Sequence, residues 1–150
     1  MPEPVILGSD HAGFELKEKV KKALERLGVP YDDVGTRSSD AVDYPDFAHR
    51  VAEAVEKGRY TRGIVVCGTG IGVSMAANRH PGVRAAVAYD EETARLSREH
   101  NDANVLALGG RTIDPGLAER ILEIWLTTPF AGGRHGRRVA KIEPGSAERE

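Results

Sequence analysis

The sequence predicts an α/β protein: a three-layer αβα sandwich built on a five-stranded parallel sheet, with a C-terminal arm. Three observations predict it. Short aliphatic runs alternate with stretches of helical periodicity in the order β-α-β-α-β-α-β-α-β-α. The central run, Ile64-Val65-Val66, is β-branched, is bounded by glycine, and fits a strand buried on both faces. A length of 150 residues with 40% hydrophobic and 29% charged content suits one soluble domain with a core of its own.

The elements follow in order. Val5, Ile6 and Leu7 form the first strand, and residues 8–13 the turn after it. Phe14, Leu16, Val20, Leu24 and Leu27 recur at helical spacing, and Gly28 is a helix stop. Tyr31 to Val34 is a short second strand, and residues 35–43 are polar and loop-like. Tyr44, Pro45 and Asp46 open a helix that runs through Phe47, Val51, Ala52 and Val55 to Gly58; proline suits its first turn. Ile64 to Val66 is the third strand, and Val73 to Asn78 the helix beyond its glycine turn. Ala85 to Ala88 is the fourth strand. Glu91 to Glu99 is a helix with few apolar residues, expected to be well exposed. Asn104 to Leu108 is the fifth strand, and Leu117 to Leu126 a strongly amphipathic helix. From Arg134 the apolar periodicity fades, giving an arm or short helix and then a tail. The arrangement is Rossmann-like: residues 1–141 form a single domain and 142–150 a C-terminal tail.

Composition narrows the function. Lys plus Arg (21) nearly balances Asp plus Glu (23), so no global basic field points to nucleic acid. A single cysteine excludes an intrachain disulfide and fits a reducing cytoplasm. No apolar run reaches membrane-spanning length, and no signal peptide opens the chain. His11, Cys67 and His100 are dispersed without a close-spaced ligand pair, so no metal is expected.

The stretch Cys67-Gly68-Thr69-Gly70-Ile71-Gly72 carries the chemistry. Alternating glycines let the backbone turn tightly and point N–H groups inward, and a strand–glycine loop–helix unit favours a bound anion. The same field favours a thiolate at Cys67. Familiar glycine motifs fail here. A dinucleotide fingerprint and a phosphate-binding NTPase loop both need glycine where Val73 stands, and a cysteine phosphatase needs arginine there. The loop therefore suits an anion that is neither NAD nor ATP held in the usual way.

Other strand ends carry Ser9, Asp10 and His11, then Tyr89 and Asp90, then Gly109, Gly110 and Arg111; His100 and Asn101 precede the fifth strand. Each has an ordinary structural explanation. Asp10 can cap the first helix, and His11 can bond backbone. His100 and Asn101 suit a helix C-terminus, and Arg134, Arg137 and Arg138 a solvated patch. Taken together, a histidine, a thiol, an anion cradle and clustered arginines suit proton transfer on a phosphorylated substrate.

Ser9-Asp10-His11-Ala12-Gly13, Asp43-Tyr44-Pro45-Asp46, the loop from Cys67 to Gly72, Gly82-Val83-Arg84-Ala85-Ala86, the run from His100 to Leu106 and Gly133-Arg134-His135 together resemble the ribose-5-phosphate isomerase B family. That family also holds isomerases of galactose 6-phosphate and allose 6-phosphate. The resemblance covers nearly the whole chain up to about Ile142. It implies an aldose–ketose isomerase of ribose 5-phosphate and ribulose 5-phosphate, acting in the pentose phosphate pathway through ring opening and an enediolate. It implies Cys67 as the base, because the family's alternative glutamate position is Val73 here. It implies His100 as the acid that opens the ring, and Thr69 as a proton shuttle. It further implies Asp10, His11, Tyr44, Gly68, Thr69, Gly70, Ile71, Gly72, Asn101, Arg111, Arg134 and Arg138 as substrate contacts; Arg137 receives no role. No cofactor is implied, since one carbon is oxidised as its neighbour is reduced. It implies a homodimer with shared sites, or a dimer of such dimers, and the expectation is that Cys67 and His100 of one site come from different chains. A six-carbon sugar-phosphate isomerase and a non-catalytic sugar-phosphate binder are the alternatives.

Overall fold

The structure, a computed structural model, describes residues 2–145. Five strands, β1 (Val5–Ser9), β2 (Tyr31–Asp33), β3 (Gly63–Cys67), β4 (Ala85–Val87) and β5 (Val105–Gly109), form one parallel sheet in the order β2-β1-β3-β5-β4. Helices α1 (Phe14–Arg26), α2 (Tyr44–Glu56), α3 (Ile71–Ala77), α4 (Glu91–Glu99) and α5 (Pro115–Thr127) alternate with them, and α6 (Arg134–Ala140) closes the succession. The predicted elements are all present, displaced by a residue or two at their ends. The predicted arm is the two-turn helix α6, while residues 146–150 of the predicted tail lie outside the described residues.

The side-chain alternation of β3 explains the layers. Ile64 and Val66 join one buried cluster with Leu16, Val20 and Leu24 of α1, Ala94 of α4, and Ile121, Leu122 and Trp125 of α5. Val65 and Cys67 join the opposite cluster with Val51 and Val55 of α2 and Val73 and Ala77 of α3. A strand that buries both faces reads as a continuous apolar run, as this one does. Each fully buried aliphatic side chain here contributes roughly 1.5–3 kcal/mol.

Helix α4 departs from expectation. Its Ala94, Ser97 and Arg98 are buried. The Arg98 guanidinium donates to the carbonyls of Ala103 (2.7 Å) and Thr128 (3.2 Å) and to Asp102 Oδ1 (2.9 Å). An arginine whose donors are met by carbonyls can sit inside the protein, which a count of apolar residues does not anticipate.

Two features position the site. The chain leaves β1 toward β2 on one side and returns to β3 on the other, so the sheet's switch point lies between β1 and β3. The crevice beyond the carboxyl ends at such a point is where open α/β sheets hold ligands. At the far edge, no sixth strand lies beside β4 among the described residues. Instead the Asn78 side chain accepts from the Ala85 N–H (2.7 Å) and donates to the Ala85 carbonyl (2.9 Å).

Candidate active site

Cys67 ends β3 beside the switch point and is nearly buried. The Gly70 N–H donates to its Sγ at 3.2 Å, an arrangement that a sulfur carrying negative charge accepts more strongly than a neutral one. Gly70 makes this turn in the left-handed region (φ 80°), and a Cβ there would stand 3.1 Å from the carbonyl carbon of Leu108. Thr69 is exposed at the tip of the loop, and its hydroxyl accepts from the Ile71 N–H at 3.1 Å. A Cβ on Gly72 would lie 2.6 Å from the Tyr44 ring, so this glycine lets the tyrosine lie flat against the loop. Val73, where the family's alternative base would stand, is wholly buried in the core.

Across the crevice, the backbone N–H of Asp10 donates to the Val66 carbonyl (3.3 Å), and its carboxylate accepts from the Gly13 N–H (2.9 Å). Gly13 is itself the N-cap of α1 and no side chain caps that helix, so Asp10 closes the turn before it rather than capping it. His11 has its backbone bond: the Val42 N–H stands 3.1 Å from Nδ1. The Val42 carbonyl lies 3.2 Å from the same nitrogen, so residue 42 meets the ring at Nδ1 whether that atom accepts from the N–H or donates to the carbonyl. Arg111 completes this side. Its N–H donates to the Gly68 carbonyl (2.9 Å), and a Cβ on Gly68 would meet its side chain at 3.5 Å. Asp10, His11, Tyr44, the loop from Cys67 to Gly72 and Arg111 therefore gather at the carboxyl edge of the sheet.

His100, Asn101, Arg134 and Arg138 do not join them. Helix α4 runs from the carboxyl edge back to the amino edge, where His100 caps it. Asn104 then accepts from the Gly63 N–H (2.9 Å) at the very start of β3. Cys67 stands at the other end of that strand, four residues on, so about 13 Å of strand separates the two edges. Helix α6 is tied to the same amino edge. The Ala131 N–H donates to the Glu99 carbonyl, and His135 stacks on His100 with ring centroids 4.3 Å apart and planes 11° from parallel. Arg134, Arg137 and Arg138 are exposed on α6. The strand-end segments converge as two groups at opposite edges, not as one group within one chain.

His135 received no role from the sequence. Partial desolvation and then the neighbouring charges of His100, Arg134 and Arg138 hold it below the ordinary imidazole range, which favours a neutral ring against His100. No periodicity marks that stack, because its partners come from two separate elements. Among the described residues, no three His, Cys, Asp or Glu side chains cluster as metal ligands, and no helix is long and apolar enough to cross a membrane.

Residues 5–142 match the family described as Ribose/Galactose Isomerase. The chain is 46% identical to ribose-5-phosphate isomerase B of Escherichia coli over 138 residues, covering 92% of this chain and 93% of that one. It superposes on the Clostridium thermocellum ribose-5-phosphate isomerase B with a TM-score of 0.91 at 52% identity, covering 93% of this chain and 94% of that one. The Mycoplasma genitalium ribose-5-phosphate isomerase B, solved with bound ribulose-5-phosphate, superposes with a TM-score of 0.89 at 42% identity, covering 93% of each chain.

Proposed function

Because the chain belongs to the ribose/galactose isomerase family, we propose that it interconverts D-ribose 5-phosphate and D-ribulose 5-phosphate. The observation that carries this reading is the nearly buried Cys67 thiol, aimed at by the Gly70 N–H, at the root of a loop whose Gly72 lies against Tyr44 and whose Gly68 lies against Arg111. The sugar phosphate carried by the Mycoplasma genitalium relative supports the substrate class.

The chemistry follows from the groups. His100 gives a proton to the ring oxygen while the C1 hydroxyl loses one, and the sugar opens to the aldehyde. Cys67 as thiolate takes the C2 proton. The developing enediolate oxygen is held by N–H groups of residues 68–72, a preorganised arrangement that is usually a large part of the rate enhancement. Thr69 carries the hydroxyl proton between O2 and O1, and Cys67 returns its proton to C1. Atoms balance without a cofactor. His11, together with Arg134 and Arg138, binds the phosphate; Asp10, Tyr44, Ile71, Asn101 and Arg111 line the sugar.

A proton relay needs its groups within about 3 Å, or one water further. The two edges of one chain are too far apart for that, so we take the active unit to be a two-fold homodimer, or a pair of such dimers. Each site joins the carboxyl edge of one copy to the amino edge of the other. Ile71 and Met75, one turn apart on α3 and 52% and 66% exposed, flank the glycine loop as an apolar seat for that second copy. The balanced charge and single cysteine suit a cytoplasmic enzyme of the pentose phosphate pathway.

The test is turnover of ribose 5-phosphate beside allose 6-phosphate, with wild type and Cys67→Ala. A higher kcat/KM on the pentose, and loss of hydrogen–deuterium exchange at C2 in the variant, are expected. A preference for the hexose would move the substrate to the six-carbon branch. Binding without turnover of either would make the protein a sugar-phosphate binder.

A further inference from the structure

Lys17 is a buried charge that the proposed chemistry does not use. Its side chain is 0% exposed. It stands near the start of α1, where a cation opposes the helix dipole, with Nζ 5.4 Å from the Phe14 ring centroid. Burial and the wrong helix end both disfavour it, and an apolar residue would be the more stable choice.

What holds it is Asp33, at the end of β2. Lys17 Nζ donates to Asp33 Oδ2 at 2.5 Å, and Lys21 Nζ reaches the same oxygen at 2.9 Å. The other carboxylate oxygen accepts the Gly35 N–H at 2.9 Å. Gly35 then accepts the Ser9 N–H at 2.7 Å, and the Thr36 N–H donates to the Ser9 carbonyl at 2.7 Å. Ser9 directly precedes Asp10 and His11. From there the chain runs through exposed residues 37–41 and comes back at Val42, whose N–H and carbonyl both meet His11 Nδ1 (3.1 and 3.2 Å), two residues before Tyr44. One carboxylate thus anchors the segment that touches the end of β1 from both sides.

We infer that the Lys17–Asp33 pair is a positioning device for substrate binding: it roots residues 34–43 so that Val42 holds the His11 ring by Nδ1 and leaves Nε2 to face the phosphate. The inference rests on the isomerase reading for the roles of His11 and Tyr44, but its spectroscopic test does not.

The variants are Lys17→Met and the double variant Lys17→Met/Asp33→Leu, which removes both charges and leaves no unpaired ion in the core. Urea melts establish that each is folded. Long-range proton–nitrogen spectra of 15N-histidine-labelled protein then read the His11 tautomer. Both variants should shift the His11 tautomer population away from that of wild type. KM for ribose 5-phosphate should rise about tenfold with kcat within about twofold, as for the loss of one hydrogen bond to a charged group. Val42→Pro deletes the same N–H at the loop's far end and should give the same spectrum. A folded variant of the pair that keeps the wild-type tautomer population and the wild-type KM overturns the inference, the pair being then no more than a packing element. A changed tautomer population with unchanged KM supports the anchor and overturns only the assignment of His11 to the phosphate.

Discussion

If a working site needs both edges of the sheet, two inactive proteins should restore each other. Cys67→Ala removes the base at the carboxyl edge, and His100→Asn removes the acid at the amino edge, about 13 Å of strand away in the same chain. Each variant dimer would carry a defect in both its sites. When the two are unfolded in urea together at equal concentration and refolded, random pairing makes about half the dimers mixed. In a mixed dimer one site collects both defects, and the other collects neither. About a quarter of all sites, and so about a quarter of wild-type activity, should return. The assay is the initial rate of ketose formation, with each variant refolded alone as the baseline. The same proteins mixed without unfolding report how fast subunits exchange. If Cys67 and His100 served the same site from one chain, every site would lack one of them. A refolded mixture as inactive as its parents would refute the two-edge argument.

Arg134 and Arg138 lie four residues apart on α6, on one face, and a phosphate dianion needs such paired donors. Arg138→Ala should raise KM at least tenfold and Arg137→Ala should leave it unchanged; equal effects from both would mean a diffuse basic surface. Burial pulls the Asp33 carboxyl upward, but hydrogen bonds from Lys17, the Gly35 N–H and Lys21 overcome it and hold the group below the ordinary aspartate range. Its folded value lies below its unfolded value, so its contribution to stability is present above about pH 4 and is lost as the pH falls through the folded value. The urea midpoint should therefore drop on acidification below about pH 4, and less steeply in Lys17→Met/Asp33→Leu; an identical acid slope in the two proteins would assign the loss to other carboxylates.

The alternation of strands and helices was legible in the sequence because β1, β3 and β5 bury both faces and α1, α2 and α5 keep an apolar stripe. The carboxyl-edge residues were legible too, since parallel strands end on one side and their loops must share it. The amino-edge group was harder to assign. His100 sits just before the fifth strand in the sequence, yet a helix returning across the sheet delivers it to the opposite edge from Cys67. Chain order says nothing of that reversal until the strands are known to be parallel. The burial of α4 was misjudged because Arg98 is satisfied by three oxygens rather than excluded from the interior. Lys17 did leave a signal. It falls on the apolar face with Val20 and Leu24, where a charged residue asks for a buried partner.

The amide of Asn78 has a consequence for how copies of this chain can meet. An unpaired outer strand is a template onto which another extended chain can add, and long apolar edges of that kind lead to aggregates and fibres. Here a side chain from α3 occupies the donor and the acceptor of Ala85, as a neighbouring strand would. The strand is also only three residues long, Ala85 to Val87. Growth of the sheet from one molecule into the next is discouraged on that side. At that edge self-association is left to side chains on helices and loops, whose shapes can specify a closed pair where a bare ladder would accept any extended chain.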